Sequence, residues 1–140
     1  MMANSTKTRG HIAVEAAILL PGLIALLAFA ILLSRIQEAN QTVEQAANMA
    51  ARAASISRNV ASANKSANQV ANTILADSNC LKTSVVIDAN GLLLPVGVPA
   101  VAKVTATCTI SLADLGIPGV PGELSLEASS SSPIDAYRER

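Results

Sequence analysis

The sequence predicts an α+β chain: a long N-terminal α-helix, membrane-spanning in its first half, followed by a small antiparallel β-sheet of about three strands. Three observations carry that expectation. Residues 16–33 contain 18 positions without a charge. Residues 36–76 contain twelve alanines and neither Gly nor Pro. The last third alternates apolar and polar residues with period two, between Pro- and Gly-rich connections.

The first element is the apolar run. Extended back to Ile12 it has 22 residues and one acid, Glu15. At 1.5 Å rise per residue it reaches roughly 33 Å, enough for a hydrocarbon core of about 30 Å. A carboxylate near the edge of such a span costs free energy unless something pairs with it, so Glu15 is a candidate functional residue. Pro21 lies inside the span and removes one backbone donor. It either permits a bend or is a tolerated kink. Lys7 and Arg9 precede the span and Arg35 follows it, a two-to-one bias that places the N-terminus in the cytoplasm and the body of the chain outside.

The Ala-rich segment, residues 35–79, extends the helix beyond the membrane. A thin stripe recurs at three- and four-residue steps through Ala46, Ala50, Ala53, Ser57, Val60, Asn64, Ala67, Ala71 and Ile74. Small side chains let helices approach closely, either against helices of other subunits or against the chain's own sheet. Ser and Asn crowd residues 55–72 and compete for helical hydrogen bonds, so a break belongs there. Asp77-Ser78-Asn79 reads as the helix end.

Three strands follow, within a small β region at 80–129. In residues 81–89, Leu81, Thr83, Val85 and Ile87 alternate with their neighbours. In residues 101–112, Ala102, Val104, Ala106, Cys108, Ile110 and Leu112 face one way, with Lys103, Thr105, Thr107, Thr109 and Ser111 opposite. In residues 123–129, Leu124, Leu126 and Ala128 oppose Glu123, Ser125 and Glu127. A polar outer row marks a half-buried antiparallel sheet. Pro118-Gly119 and Pro121-Gly122 suit type II turns. Residues 92–99 form an apolar loop that either folds over the sheet or meets a neighbour, and residues 130–140 form a polar tail.

Cys80 and Cys108 are the only cysteines. In an oxidising compartment they form a disulfide; otherwise they are two buried thiols. A bridge across such a loop stabilises a small domain by roughly 3–4 kcal/mol. Their spacing fits neither a redox CxxC pair nor a zinc cluster, so neither a metal nor a cofactor is expected.

Composition excludes several function classes. Phe29 and Tyr137 are the only aromatic residues, so there is no stacking platform for bases. Ten Lys and Arg balance ten Asp and Glu, which leaves no electrostatic footprint for nucleic acid. His11 is the single histidine and lies at the membrane border, so no Ser-His-Asp or Cys-His arrangement can form outside the membrane. An enzyme is not expected.

Residues 7–33 carry one further pattern. Lys7 and Arg9 stand just before Gly10, Glu15 is the fifth residue after Gly10, and the apolar helix follows: RGHIAVEAAILLPGLIALLAFAILL. This resembles the N-terminal signal of the type IV prepilin superfamily, and most of all the TadE-like pseudopilins of tight-adherence (Flp) pili. The resemblance is sharp over residues 7–33 and covers the rest in outline. It implies a leader at 1–10, a transmembrane helix at 11–34, and cleavage between Gly10 and His11 by a prepilin peptidase. Ala16 stands where the major Flp pilins have an aromatic residue, and the chain is long for that group, so the resemblance points to a minor pseudopilin serving pilus assembly and surface adhesion. The implied partners are the peptidase, other pilins and pseudopilins with their assembly platform, and membrane lipid. The implied location is the plasma (inner) membrane, single-pass, with possible incorporation in a cell-surface pilus.

Loss of the leader leaves eight bases against ten acids and frees an α-amine with a reference pKa near 8. Glu15 lies one helical turn from that amine, where the helix dipole favours an anion. Amine and acid on neighbouring subunits would offset each other's desolvation and set register; the plainer alternative leaves Glu15 at the headgroups. Two other classes stand beside the pilin-like reading. One is an uncleaved, signal-anchored extracytoplasmic scaffold of a membrane complex. The other is an exported protein cut after Ala28-Phe29-Ala30.

Overall fold

The computed structural model describes residues 5–113 and 122–137, with side chains from Ala13 onward. The chain is α+β. Its elements are α1 (Ser5–Ser55), α2 (Val60–Ala76), β1 (Lys82–Asp88), a 3₁₀ turn (Asn90–Leu93), β2 (Ala100–Ser111) and β3 (Glu123–Ile134). It divides into two units, Met1–Arg35 and Ile36–Arg140.

In the second unit the Ala-rich segment folds into a helical hairpin. The break falls at residues 56–59, and local hydrogen bonds explain it. Ser55 Oγ donates to the Arg52 carbonyl and Ser57 Oγ to the Ala53 carbonyl, so both hydroxyls compete with the helical ladder. Asn59 then caps α2, its Oδ1 accepting from the Ser62 N–H at 2.8 Å. At the other end Ser78 Oγ donates to the Leu75 carbonyl and helps close the helix.

The break changes which residues form the buried stripe. Ala46, Ala50, Ala67 and Ala71 are buried, but Ala53, Ser57, Val60, Asn64 and Ile74 are only half-buried. The fully buried positions are Val43, Ala46, Ala47, Ala50, Ala51 and Ala54 on α1, and Ala63, Ala67, Ala71 and Leu75 on α2. A single helical period cannot connect them, because the loop resets the phase. The alanines pack on the chain's own sheet. Val43, Ala46 and Ala47 meet Leu75, Ala106, Cys108 and Ile110. Ala50, Ala51 and Ala54 meet Ala63, Ala67, Ala71, Ala102, Val104 and Ile134. The two groups place the start of α1's packed half beside the end of α2, an antiparallel pair.

The sheet is an antiparallel meander in the order β1-β2-β3. Ala106 of β2 pairs with Val85 of β1 and Ala128 of β3, so their side chains share the helix-facing side. The inward row of β2, from Ala102 through Ile110, is buried, and Leu124, Leu126 and Ala128 are half-buried beside it. On the open side lie Thr105, Thr107 and Thr109 with Ser125, Glu127 and Ser129, and an exposed Lys82–Glu123 ion pair at 3.7 Å.

β3 runs past residue 129 to Ile134, so residues 130–134 belong to the sheet and not to a polar tail. Ser130 Oγ bonds to Asn48 Oδ1 and Ser132 Oγ shares a hydrogen bond with Ser55 Oγ, while Ile134 is buried. The serine run keeps the period-two alternation, and Pro133 is tolerated because β3 is an edge strand. The turns expected at Pro118-Gly119 and Pro121-Gly122 lie outside the described residues except for Gly122, whose carbonyl accepts from the Leu112 N–H at 3.0 Å.

Cys80 and Cys108 are disulfide-bonded, with Cα atoms 5.5 Å apart. The bond ties the segment after α2 to the buried row of β2. The apolar loop at 92–99 divides between core and surface. Leu92 is buried in the core, while Leu93, Leu94, Val96 and Val98 stay exposed.

Candidate functional site

The first unit carries the candidate site, the start of the apolar span. Ala13–Ser55 contains an apolar window long enough to cross a membrane, and none of that window is buried within the molecule. Large apolar side chains point in every direction around it: Ile18, Leu19, Leu20, Leu23, Ile24, Leu27 and Phe29 are all exposed. A soluble amphipathic helix keeps one polar face. This stretch has none.

Glu15 sits at the beginning of that span. Its side chain is exposed and pairs with none of the described residues. Arg9 is the charge before it and Arg35 the charge after it, so roughly 30 Å of helix beyond Glu15 is uncharged. Pro21 lies inside α1, which continues through it. Its missing N–H leaves the Ala17 carbonyl without its usual helical donor. Beside it, a Cβ on Gly22 would meet nothing within 4 Å, so this part of the helix surface is open. The backbone of Gly10 and His11 is helical, because α1 begins at Ser5. Their side chains lie outside the described residues.

Among the described residues no group of His, Cys, Asp and Glu is placed to hold a metal ion. Asp77, Asp88, Glu123 and Glu127 are all exposed. Asp88 accepts from the Asn90 N–H in the turn after β1, which accounts for it locally. Asp114 lies outside the described residues.

Residues 10–52 match the family model described as TadE-like protein. Over this segment the chain is similar to that family. No curated protein and no solved structure matches the chain. The TadE-like segment begins at Gly10, takes in Glu15, Pro21 and the whole apolar span, and ends three residues before α1 does. The likeness is thus carried by one helix. The TadE-like family is one of pilus-associated, structural components. Sequence reasoning found the segment through Gly10, Glu15 and the apolar run. It placed Ala46 and Ala50 on a stripe that could meet the chain's own sheet, and it missed Val43 and Ala47, because the α2 contribution and the sheet that cover them are distant in sequence.

Proposed function

We propose that this chain is a minor pseudopilin of a Tad/Flp-type pilus, needed for pilus assembly and surface adhesion. It is held in the inner membrane by residues 11–34, N-terminus inward, with the disulfide-linked unit outside. Prepilin peptidase cuts between Gly10 and His11, and the product joins other pilins and pseudopilins on the assembly platform. The observation that carries this reading is the TadE-like match, which starts at Gly10 and runs unbroken over Glu15 and the apolar span.

The assembly role follows from Glu15. An unpaired carboxylate on an otherwise apolar span is costly in lipid. Cleavage creates a positive amine one turn away and removes Lys7 and Arg9, which held the leader in the cytoplasm. Amine and acid on adjacent subunits then compensate each other, and a subunit out of register leaves both charges buried alone.

A second reading has one observation in its favour. The Gly10–His11 bond lies within α1, not in an exposed extended segment, which suits an anchor that keeps its leader and serves as a scaffold. The mass of the membrane-borne product separates the readings. Loss of residues 1–10 supports the pseudopilin, a retained leader supports the scaffold, and a start at Ile31 supports a secreted protein. Gly10→Ala is expected to abolish the cut while leaving membrane insertion intact. Normal maturation of that variant would overturn the cleavage assignment.

A further inference from the structure

The end of the second unit that carries the turn between α1 and α2 also carries the loop at 92–99. Ala54, Val60 and Ala63, on either side of the turn, share one cluster with Leu92, Ala100 and Ile134. Ser55 Oγ lies 2.9 Å from Ser132 Oγ, which fixes the turn beside the end of β3. The surface of this end is apolar. Ile56 is 78% exposed, Leu93 69% and Tyr137 85%, and Val96 and Val98 are exposed with them. Exposed apolar side chains scattered singly are ordinary, whereas a group of them at one end of a unit marks a binding surface.

The loop is held in place by the fold. Leu92 is buried and roots it in the core. Gly97, at φ +92°, donates its N–H to the Ala136 carbonyl at 2.8 Å. The N–H groups of Leu92, Leu94 and Val98 also donate to backbone carbonyls, and Pro95 and Pro99 have none to satisfy. From Gly91 to Ala102 no side chain can form a hydrogen bond. A protein partner is normally met through several hydrogen bonds, while an acyl-chain surface asks for none and penalises bare backbone groups. Charge points the same way. Residues 45–76 contain Arg52, Arg58 and Lys65 and no acid. All three are exposed, and none has an ion-pair partner among the described residues. Asp88, Lys103 and Asp135 lie at the same end, and the two acids accept from the N–H groups of Asn90 and Tyr137. Cations still outnumber acids there.

We propose that this end of the second unit docks on an anionic phospholipid surface. Ile56, Leu93, Val96, Val98 and Tyr137 enter the headgroup boundary, and Arg52, Arg58 and Lys65 meet lipid phosphates. The inference goes beyond pilus assembly. It rests on the second unit alone and holds whether or not the leader is cut.

Flotation of the full-length chain, held in phosphatidylcholine nanodiscs so that its apolar span is already in lipid, tests this. The nanodiscs are expected to float with added vesicles that contain phosphatidylglycerol. With vesicles of phosphatidylcholine alone, binding should fall about ten-fold, and salt should release the anionic vesicles. Arg52→Gln and Arg58→Gln should each weaken binding about five-fold, the effect of one basic side chain beside an anionic leaflet. Leu93→Asp with Val96→Asp should abolish it, and both positions are exposed. Retention of the Cys80–Cys108 bond, read by mobility without reductant, shows that each variant has folded. In folded chains, three results overturn the proposal: no flotation, which leaves this surface to a protein partner; equal flotation with phosphatidylcholine alone; or flotation that none of these substitutions changes.

Discussion

Glu15 is a residue whose surroundings within the described chain do not account for it. It is exposed, unpaired among the described residues and followed by 19 uncharged positions. Nothing in the fold of the second unit uses it. Under the proposed assembly its partner is the freed amine of another copy, so its effect is felt only between chains. Glu15→Ala is expected to leave cleavage and membrane insertion unchanged while pili per cell fall at least several-fold, counted by electron microscopy beside the mass of the mature product. Normal piliation in that variant would remove the pairing argument. Glu15 was legible in the sequence because a lone acid in an apolar run stands out by composition alone. Asn59 was not, since many Asn and Ser residues crowd residues 55–72. Only the observed backbone shows which of them takes the extended conformation of a cap, with its side chain on the Ser62 N–H.

At the scale of elements, the strands were the easiest part to read. The inward row of β2 is the one its alternation gives, because a half-buried strand must repeat every two residues. The helices were harder. Alanine favours helix everywhere and contrasts weakly with Ser and Asn, so the stripe could not be phased across a break whose place was unknown. The structure sets the phase of α2 at Ala63, Ala67, Ala71 and Leu75, four apart and facing α1 and the sheet. Such a core depends on close approach. Ala67 is fully buried within a cluster that is mostly alanine. Ala67→Leu is therefore expected to destabilise the second unit by about 1–3 kcal/mol through overpacking. Denaturant unfolding followed by circular dichroism would show it, whereas a value near zero would mean that the helices are not pressed together there. By contrast, Gln69→Leu on the exposed side of α2 should change little.

At the scale of the molecule, the second unit has a thin core. Its largest fully buried side chains are Leu75, Val43, Val104 and Cys108, and alanine fills most of the remainder. A unit of about 100 residues with so little apolar volume leans on covalent help. The Cys80–Cys108 bond closes a 28-residue separation and is expected to contribute about 3–4 kcal/mol, a large share of the roughly 5–15 kcal/mol typical of a domain. Replacing both cysteines with alanine should lower the denaturation midpoint of the detergent-solubilised chain, and reductant should shift the unaltered protein by a similar amount. If neither treatment moves the midpoint, the bond is not what holds α2 to the sheet.

The amino-acid order alone determined the apolar span, its single acid, the presence of a helical segment after it and the two faces of each strand. These are local properties, written in composition and in periods of two and 3.6 residues. Tertiary structure decided where the helical segment breaks, which alanines are buried, that the serines of residues 129–132 continue a strand, and which sheet edges stay open. Each of those outcomes depends on what lies across the core from a residue. Ser132 pairs with Ala102 in the sheet and its hydroxyl meets Ser55, 77 positions away, and no local pattern can specify a partner at that distance.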